Sequence, residues 1–347
     1  MNVLSLFDGI SCGQIALNRA GIKVDKYFAS EIDKNAEKVT RHNFPDTIHI
    51  GNVLEVKGSE LPQIDLLMGG SPCQGFSFSA NKAQTNSKKN SEDSEAEKLP
   101  PLPPRLNLDD PRSKLFFEFV RLLKETKPKY FLFENVKMKK EFQDIISDQL
   151  GVEPQKIDSK NFSAQSRQRL YWTNIPFDKE GIDTDREGVL LRDIMDPYYG
   201  EETMADEEVL KKLIPLLKSS MYEFRYGKLD DKGKDNSFCW RRDTQGRILV
   251  MRPDKLKIQR IGRIGEGRHK SEIITVSSHP HVFDGKDIRK VNPLEAERLQ
   301  TIPDNYTEVE GITSGMRYKM TGNGWTVDVI SHIFEGINKQ TNEESKL

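Results

Sequence analysis

At 347 residues and 39.8 kDa, the chain is long enough for one large domain plus a smaller one, and too long to be a stapled miniature scaffold. Its three cysteines, Cys12, Cys73 and Cys239, stand far apart with no C-x-x-C pair, which argues against a disulfide framework and a structural zinc site and fits a reducing cytoplasm. A formal net charge of −1 and a pI of about 6.6 give no global sign of a polyanionic partner, and no apolar run approaches the length that crosses a bilayer.

Apolar runs and helical periodicity alternate along the first 175 residues. A strand is expected over Asn2 to Phe7, a helix from Cys12 to Ala20, a strand from Tyr27 to Glu31 and a helix from Lys34 to His42. Next come a strand from Ile64 to Met68, a helix from Ser113 to Glu125, a strand from Tyr130 to Phe133, a helix from Lys139 to Leu150 and a strand from Leu170 to Asn174. Units of this size predict an α/β fold with a mostly parallel sheet covered on both faces, with ligands at the carboxyl ends of the strands.

The pattern stops over 81–108, where Lys, Asn, Ser and Glu give way to a proline-rich run, which marks a loop insertion. From 178 to 285 there is little βαβ character, with one helix expected near Glu207 to Leu217, and this stretch reads as a second, smaller domain. Helical periodicity returns over Pro293 to Thr301 and Trp325 to Asn338, so 286–347 is expected to complete the first domain, 1–177.

Charge is unevenly spread. Residues 178–208 hold twelve acidic against three basic residues, whereas 241–270 hold ten basic against three acidic. Most of the basic set is arginine, including Arg241, Arg242 and Arg247, and it is interleaved with Trp240, Ile248 and Val250. Such a stretch suits a phosphate-binding face, although an ordinary solvated surface has the same composition.

Four strand ends carry the chemistry. Asp8-Gly9-Ile10-Ser11-Cys12-Gly13 opens a helix after the first strand, without the full G-x-G-x-x-G spacing, and Glu31 ends the second strand where a carboxylate can accept from ribose hydroxyls. Both also have plain readings, a tight turn and a helix N-terminal charge. Gly69-Gly70-Ser71-Pro72-Cys73-Gln74 puts a thiol on a stiff turn after an apolar strand, the way an α/β enzyme displays a nucleophile, though a lone cysteine is more often a buried apolar residue. Glu134-Asn135-Val136 follows the run Tyr130 to Phe133. Desolvation there suits Glu134 as a proton donor, and a structural hydrogen bond to backbone explains it as well. Gln165-Ser166-Arg167-Gln168-Arg169 then sets two fixed cations ahead of the next strand.

In order and content these motifs resemble the cytosine carbon-5 DNA methyltransferases, the phage and bacterial Dcm-like branch included. Gly-Ser-Pro-Cys73-Gln is similar to the family's catalytic P-C-Q motif, Glu134-Asn135-Val136 to its E-N-V motif and Gln165 to Arg169 to its Q-x-R-x-R motif. Arg289 to Gln300 resembles the segment that buttresses the recognition domain, and Gly322-Asn323-Gly324 the late G-N-S cofactor motif. Leu6 to Gly9 and Leu115 to Phe119 also resemble the animal de novo enzymes.

The resemblance implies a Rossmann-like methyltransferase fold, with S-adenosylmethionine as cofactor, no metal, and duplex DNA as substrate. Phe7, Asp8, Gly9, Ile10, Glu31, Ile32, Asn52, Val53, Asn323 and Gly324 would surround the cofactor. Two positions depart from the family: Asn52 stands where an acidic residue is usual, and Gly324 where serine is common. Cys73 would be the nucleophile toward ring carbon 6, Glu134 the group at ring nitrogen 3 and Arg169 the holder of the ring carbonyl. Arg167 is grouped with them, in support of the loop or a phosphate. Gln74 and Ser77 would lie against DNA, and Arg241, Arg242 and Arg247 would either read guanine edges or touch phosphates. A monomeric enzyme of the bacterial or phage-infected cytoplasm is implied, with a restriction endonuclease as an optional partner. An RNA-directed (tRNA) cytosine methyltransferase and a catalytically silent DNA-binding paralogue are the alternatives.

Overall fold

The computed structural model describes residues 1–71, 111–179 and 291–344, together with 182, 189, 191–194, 196 and five short strands between 241 and 290. The insertion 81–108 and the helix expected near Glu207 to Leu217 lie outside the described residues.

Seven strands form the main sheet: β1 (Asn2–Leu6), β2 (Lys26–Ser30), β3 (Ile48–His49), β4 (Leu66–Gly69), β5 (Tyr130–Val136), β6 (Gln155–Asp158) and β7 (Gln168–Thr173). Their order is β3-β2-β1-β4-β5-β7-β6. The five from β3 to β5 pair in parallel, while β7 runs antiparallel to both β5 and β6. The helices of the first part are α1 (Cys12–Arg19), α2 (Lys34–Asn43), α3 (Pro111–Thr126) and α4 (Lys140–Leu150). The later ones are the single turn α5 (Leu191–Ile194), then α6 (Pro293–Leu299), α7 (Ser314–Asn323) and α8 (Val327–Glu344). Five further strands, β8 (Arg241–Arg242), β9 (Ile248–Met251), β10 (Ile258–Arg260), β11 (His281–Phe283) and β12 (Ile288–Lys290), form a three-stranded and a two-stranded antiparallel sheet.

The period-2 alternation of each strand divides the core into two layers. Val3, Leu66, Met68, Tyr130 and Leu132 face one side, where they meet Ala16 and Leu17 of α1 and Ile330, Ile333 and Phe334 of α8. Leu4, Leu6, Leu67, Phe131 and Phe133 face the other, against Phe116, Phe119 and Leu122 of α3 and Ile146 and Leu150 of α4. Phe133 is the centre of that second layer, with ring centroids 5.2 Å from Phe116, 4.9 Å from Phe119 and 5.9 Å from Trp172, all tilted as aromatic quadrupoles prefer.

The expected strands are present with small boundary shifts, and one shift matters. The strand expected to stop at Phe133 continues to Val136, because antiparallel β7 offers ladder partners for Glu134, Asn135 and Val136 at Tyr171, Leu170 and Arg169. Glu134 therefore sits inside a strand instead of after one. The sequence reading did not include β3, β6 or α7.

The chain after residue 290 returns to the first layer. Asn292 caps α6 in a capping box with Glu295, with Pro293 in the first turn. Helix α8 lies along α1, tied by an Arg19–Asp328 ion pair of 2.6 Å and by Asn338 Nδ2 donating to the Ala20 carbonyl at 2.6 Å. Its close approach to the chain after β7 depends on Gly336, where an added Cβ would lie 1.7 Å from the Pro176 carbonyl oxygen. Both partners are backbone and cannot swing aside, so Gly336→Ala is expected to lower unfolding stability by about 2–3 kcal/mol. Chemical denaturation of the two proteins checks this.

Among the described residues no helix is long and apolar enough to cross a membrane.

Candidate active site

At the carboxyl ends of β1, β2, β4 and β5 lies a cavity of about 370 Å³, within the size range of small-molecule sites. The order of the sheet reverses at β1, whose neighbours are β2 and β4, and such a switch point opens a crevice.

Between β1 and α1 the chain makes a turn with three left-handed residues, Phe7 (φ 56°), Gly9 (φ 59°) and Ser11 (φ 57°). A bulky side chain at positive φ is costly, so surrounding bonds must hold it. Asp8 N donates to the Ser30 carbonyl at 3.1 Å, Ser11 N to the Asp8 carbonyl at 3.1 Å, and Gly9 N to Glu31 Oε2 at 2.8 Å. Below the turn Asp8 Oδ1 accepts from the Tyr27 hydroxyl at 2.6 Å and Oδ2 from the Ser11 hydroxyl. Burial pushes the Asp8 carboxyl up to about 6, against the lowering effect of these hydroxyl donors.

Glu31 is braced by backbone. Besides Gly9, the amides of Ile32 and Asp33 donate to its Oε1 at 2.7 Å each, which fills that oxygen and leaves Oε2, bonded only by Gly9 N, with a second lone pair for a ligand. Beside it Ile32 is 71% exposed while lining the cavity, an apolar side chain with its face open. Asn52 caps the 3₁₀ turn Val53–Glu55, with its Oδ1 accepting from Leu54 N at 3.1 Å, and Val53 is buried under it. On the opposite wall Lys319 of α7 pairs with Asp33 at 2.7 Å.

The other half of the cavity is ionic. Glu134 is 8% exposed, and both of its oxygens are engaged by side chains: Oε1 pairs ionically with Arg169 Nε at 3.0 Å, and Oε2 accepts from Trp325 Nε1 at 3.1 Å. Arg169 sits diagonally across the β5–β7 ladder, opposite Val136, which is how it reaches Glu134. A second Arg169 nitrogen, Nη1, donates to the Gln168 carbonyl at 2.9 Å.

Arg167 has a different task. It is 5% exposed and donates through Nη1 to the Gly322 carbonyl at 3.1 Å and through Nη2 to the Gly324 carbonyl at 3.0 Å. Burial, and then the nearby Arg169, push its guanidinium down to about 9. Of the two roles expected for it, loop support is the one these bonds describe.

All ten residues expected around the cofactor line this one cavity, together with Glu134, Arg167 and Arg169. Gly70 and Ser71, at the end of β4, line it too, and Asn135 Nδ2 reaches the Ser71 hydroxyl at 3.4 Å. Cys73, Gln74 and Ser77 lie outside the described residues, as does Arg247. Arg241 and Arg242 form strand β8, with their side chains outside the description.

Gly324 has a local physical reason. A Cβ there would lie 3.1 Å from the Cys12 sulfur and 3.3 Å from the Met320 carbonyl. Cys12 thus occupies the space a serine would need, and burial pushes its thiol up to about 12, which keeps it unreactive. Gly324→Ser is expected to cost about 1–2 kcal/mol of stability by overpacking, and Cys12→Ala in the same chain to recover most of it. Thermal melts of the single and double variants check this coupling.

Trp325 and Lys319 belong to the site but are not singled out by the sequence. The only sequence signal for Trp325 was its place directly after Gly322-Asn323-Gly324, where a large aromatic with a single N–H donor stands at the wall of a polar cleft.

A switch-point crevice with a backbone-braced acceptor, an open apolar face and a paired arginine and glutamate is the ligand site of an α/β fold. The sequence model of the C-5 cytosine-specific DNA methylase family matches residues 1–339, and the chain belongs to that family. It is similar to the orphan methyltransferase M.SPRI of Bacillus phage SPR, 25% identical with 100% of this chain and 99% of that one covered. It is also similar to the type II methyltransferase M1.ScrFI of Lactococcus lactis subsp. cremoris, 27% identical over 96% of this chain and 77% of that one. Among solved structures, the Entamoeba histolytica methyltransferase EhMeth shares the fold at a TM-score of 0.63 and 19% identity, covering 98% of each chain.

Proposed function

We propose that this chain transfers a methyl group from S-adenosylmethionine to carbon 5 of a cytosine flipped out of duplex DNA, through a transient bond between Cys73 and ring carbon 6. The observation that carries the reading is the meeting, in one cavity, of the residues expected around the cofactor with Glu134, Arg169 and the strand end that leads to Cys73.

The cavity suits the cofactor. The exposed face of Ile32, with Val53, offers an apolar seat for an adenine ring, and the free lone pair on Glu31 Oε2 is available to a ribose hydroxyl. Asn52 Oδ1, although bonded to Leu54 N, retains one lone pair for the adenine amino group. Bound there, the cofactor supplies an electrophilic sulfonium methyl.

The chain's own residues make the ring able to accept that methyl. Carbon 5 of cytosine is a weak nucleophile, so the Cys73 thiolate adds to carbon 6 and pushes electron density toward carbon 5 and nitrogen 3. Glu134 meets the charge at nitrogen 3 with a proton or hydrogen bond, and Arg169 holds the ring oxygen. After transfer, water removes the proton from carbon 5, the carbon–sulfur bond breaks to return Cys73 as the thiolate, and a proton given to nitrogen 3 passes back to Glu134. Arg167 acts at a distance, by fixing the carbonyls of Gly322 and Gly324 on the cofactor wall.

Flipping costs roughly a few kcal/mol of stacking and pairing, offset by contacts in the pocket. Gln74 and Ser77, adjacent to Cys73, are assigned to the DNA side of the cleft. Sequence readout falls to 178–285, with Arg241, Arg242 and Arg247 as its first candidates.

Bisulfite sequencing of a plasmid from cells producing this protein tests the function. Protection of cytosines in one recurring context is expected; complete conversion at every cytosine would contradict it.

A further inference from the structure

On the reading just given, Glu134 must present its carboxylate to the target ring in one orientation, and the structure shows what fixes it. Arg169 takes Oε1 at 3.0 Å, and the Trp325 indole N–H takes Oε2 at 3.1 Å. The carboxylate is thereby held from two sides, by an ion pair from β7 and a hydrogen bond from the link between α7 and α8.

Trp325 is itself held. Arg167 bonds the carbonyl of Gly324 just before it, and the residues just after it are tied to Gln300: Thr326 Oγ1 donates to Gln300 Oε1 at 2.9 Å and Val327 N to the Gln300 carbonyl at 2.9 Å. Space for the contact is reserved at a third point. A Cβ on Gly70 would sit 3.0 Å from Glu134 Oε2 and 3.1 Å from Trp325 Nε1, wedged into the bond. An indole is a donor only, so this contact is selective for an acceptor oxygen.

We propose that Trp325 is a positioning residue for methyl transfer: its indole N–H orients the Glu134 carboxylate toward the target base, and Gly70 keeps that contact open. Because Trp325 directly follows Asn323-Gly324, the wall assigned to the cofactor is joined through one side chain to the group assigned to the base.

The test is a double-mutant cycle on single-turnover methylation of duplex DNA, with cofactor affinity measured in parallel. Trp325→Phe removes the donor and keeps an aromatic ring. It is expected to slow transfer about tenfold to a hundredfold, the value of a hydrogen bond to a charged group, while cofactor affinity changes less than about threefold. In a Glu134→Gln background the same substitution should change the rate less than about twofold, because the group it orients is already lost. Gly70→Ala, acting from the other side, should reproduce both results, and melting curves show that each variant is folded. Equal slowing in both backgrounds, an unchanged rate, or a loss confined to cofactor KM would overturn the inference. A wild-type protein that transfers no methyl to DNA would instead overturn the proposed function, and the inference with it.

Discussion

With alanine at position 73, methyl transfer is expected to fall by at least about a thousandfold, to the limit of detection, while cofactor binding stays at its wild-type level. The reason is chemical. Without a nucleophile at carbon 6, carbon 5 has no electron pair to offer. The Cys12 thiol, the one thiol among the described residues of the cavity, is buried and pushed up to about 12, so it supplies almost no thiolate at neutral pH. The residues assigned to the cofactor, Phe7 to Ile10, Glu31, Ile32, Asn52 and Val53, belong to other strand ends than the one that leads to Cys73. Equilibrium binding and labelled-methyl transfer on the same preparation separate the two quantities. Full activity in Cys73→Ala would overturn the assignment of the nucleophile.

Glu134→Gln should slow the chemical step by about a hundredfold to ten thousandfold, with DNA affinity little changed. Glutamine is nearly the same size but has one acceptor oxygen where glutamate has two. Arg169 pairs ionically with one oxygen of Glu134 and Trp325 donates to the other, so one of them is left facing an amide NH₂. Arg169 also loses its ion pair at a site where both partners are close to 90% covered, with 12% and 11% side-chain exposure, and an uncompensated cation there is costly. The substitution therefore removes the group assigned to nitrogen 3 and disturbs the guanidinium assigned to the ring oxygen together. Single-turnover rates against equilibrium DNA binding are the measurement. An equal loss in both would place Glu134 in binding instead of chemistry.

Much of this site was legible because buried parallel strands write themselves as apolar runs, and the residues after such runs fall on one edge of the sheet. Phe7 to Ile10, Glu31 and the Gly70–Ser71 strand end were placed in that way before any geometry was known, and they line one cavity. What sequence left out is long-range or short. Strand β6 is four residues of mixed polarity, Gln155–Asp158, and β3 is two, Ile48–His49, each too brief for period-2 alternation to register. Their neighbours supply the pairing. Helix α7 carries two glycines and little amphipathic contrast, so its propensity signal is weak, and its clearest marker is the Thr313 cap on Met316 N. Glu134 was expected after a strand end because the apolar run stops at Phe133. The strand continues because β7 pairs with it, a fact of topology that no local pattern holds. Trp325 and Glu134 are 191 residues apart in the chain, and their bond exists only because α7 brings the return segment over the ends of β4 and β5. Arg167 shows the complementary limit: the sequence offered two roles for it, and only the carbonyls of Gly322 and Gly324 indicate which bonds it makes.

The proposed reaction forms and breaks a sulfur–carbon bond in each turnover. Duplex DNA carrying 5-fluorocytosine at the methylated position tests it directly, since fluorine at carbon 5 cannot be removed as a proton and the Cys73 adduct is unable to collapse. The predicted result is a protein–DNA species that survives denaturing electrophoresis, requires S-adenosylmethionine and is absent from Cys73→Ala. Normal methylation of unmodified DNA with no such species on the fluorinated duplex would contradict it.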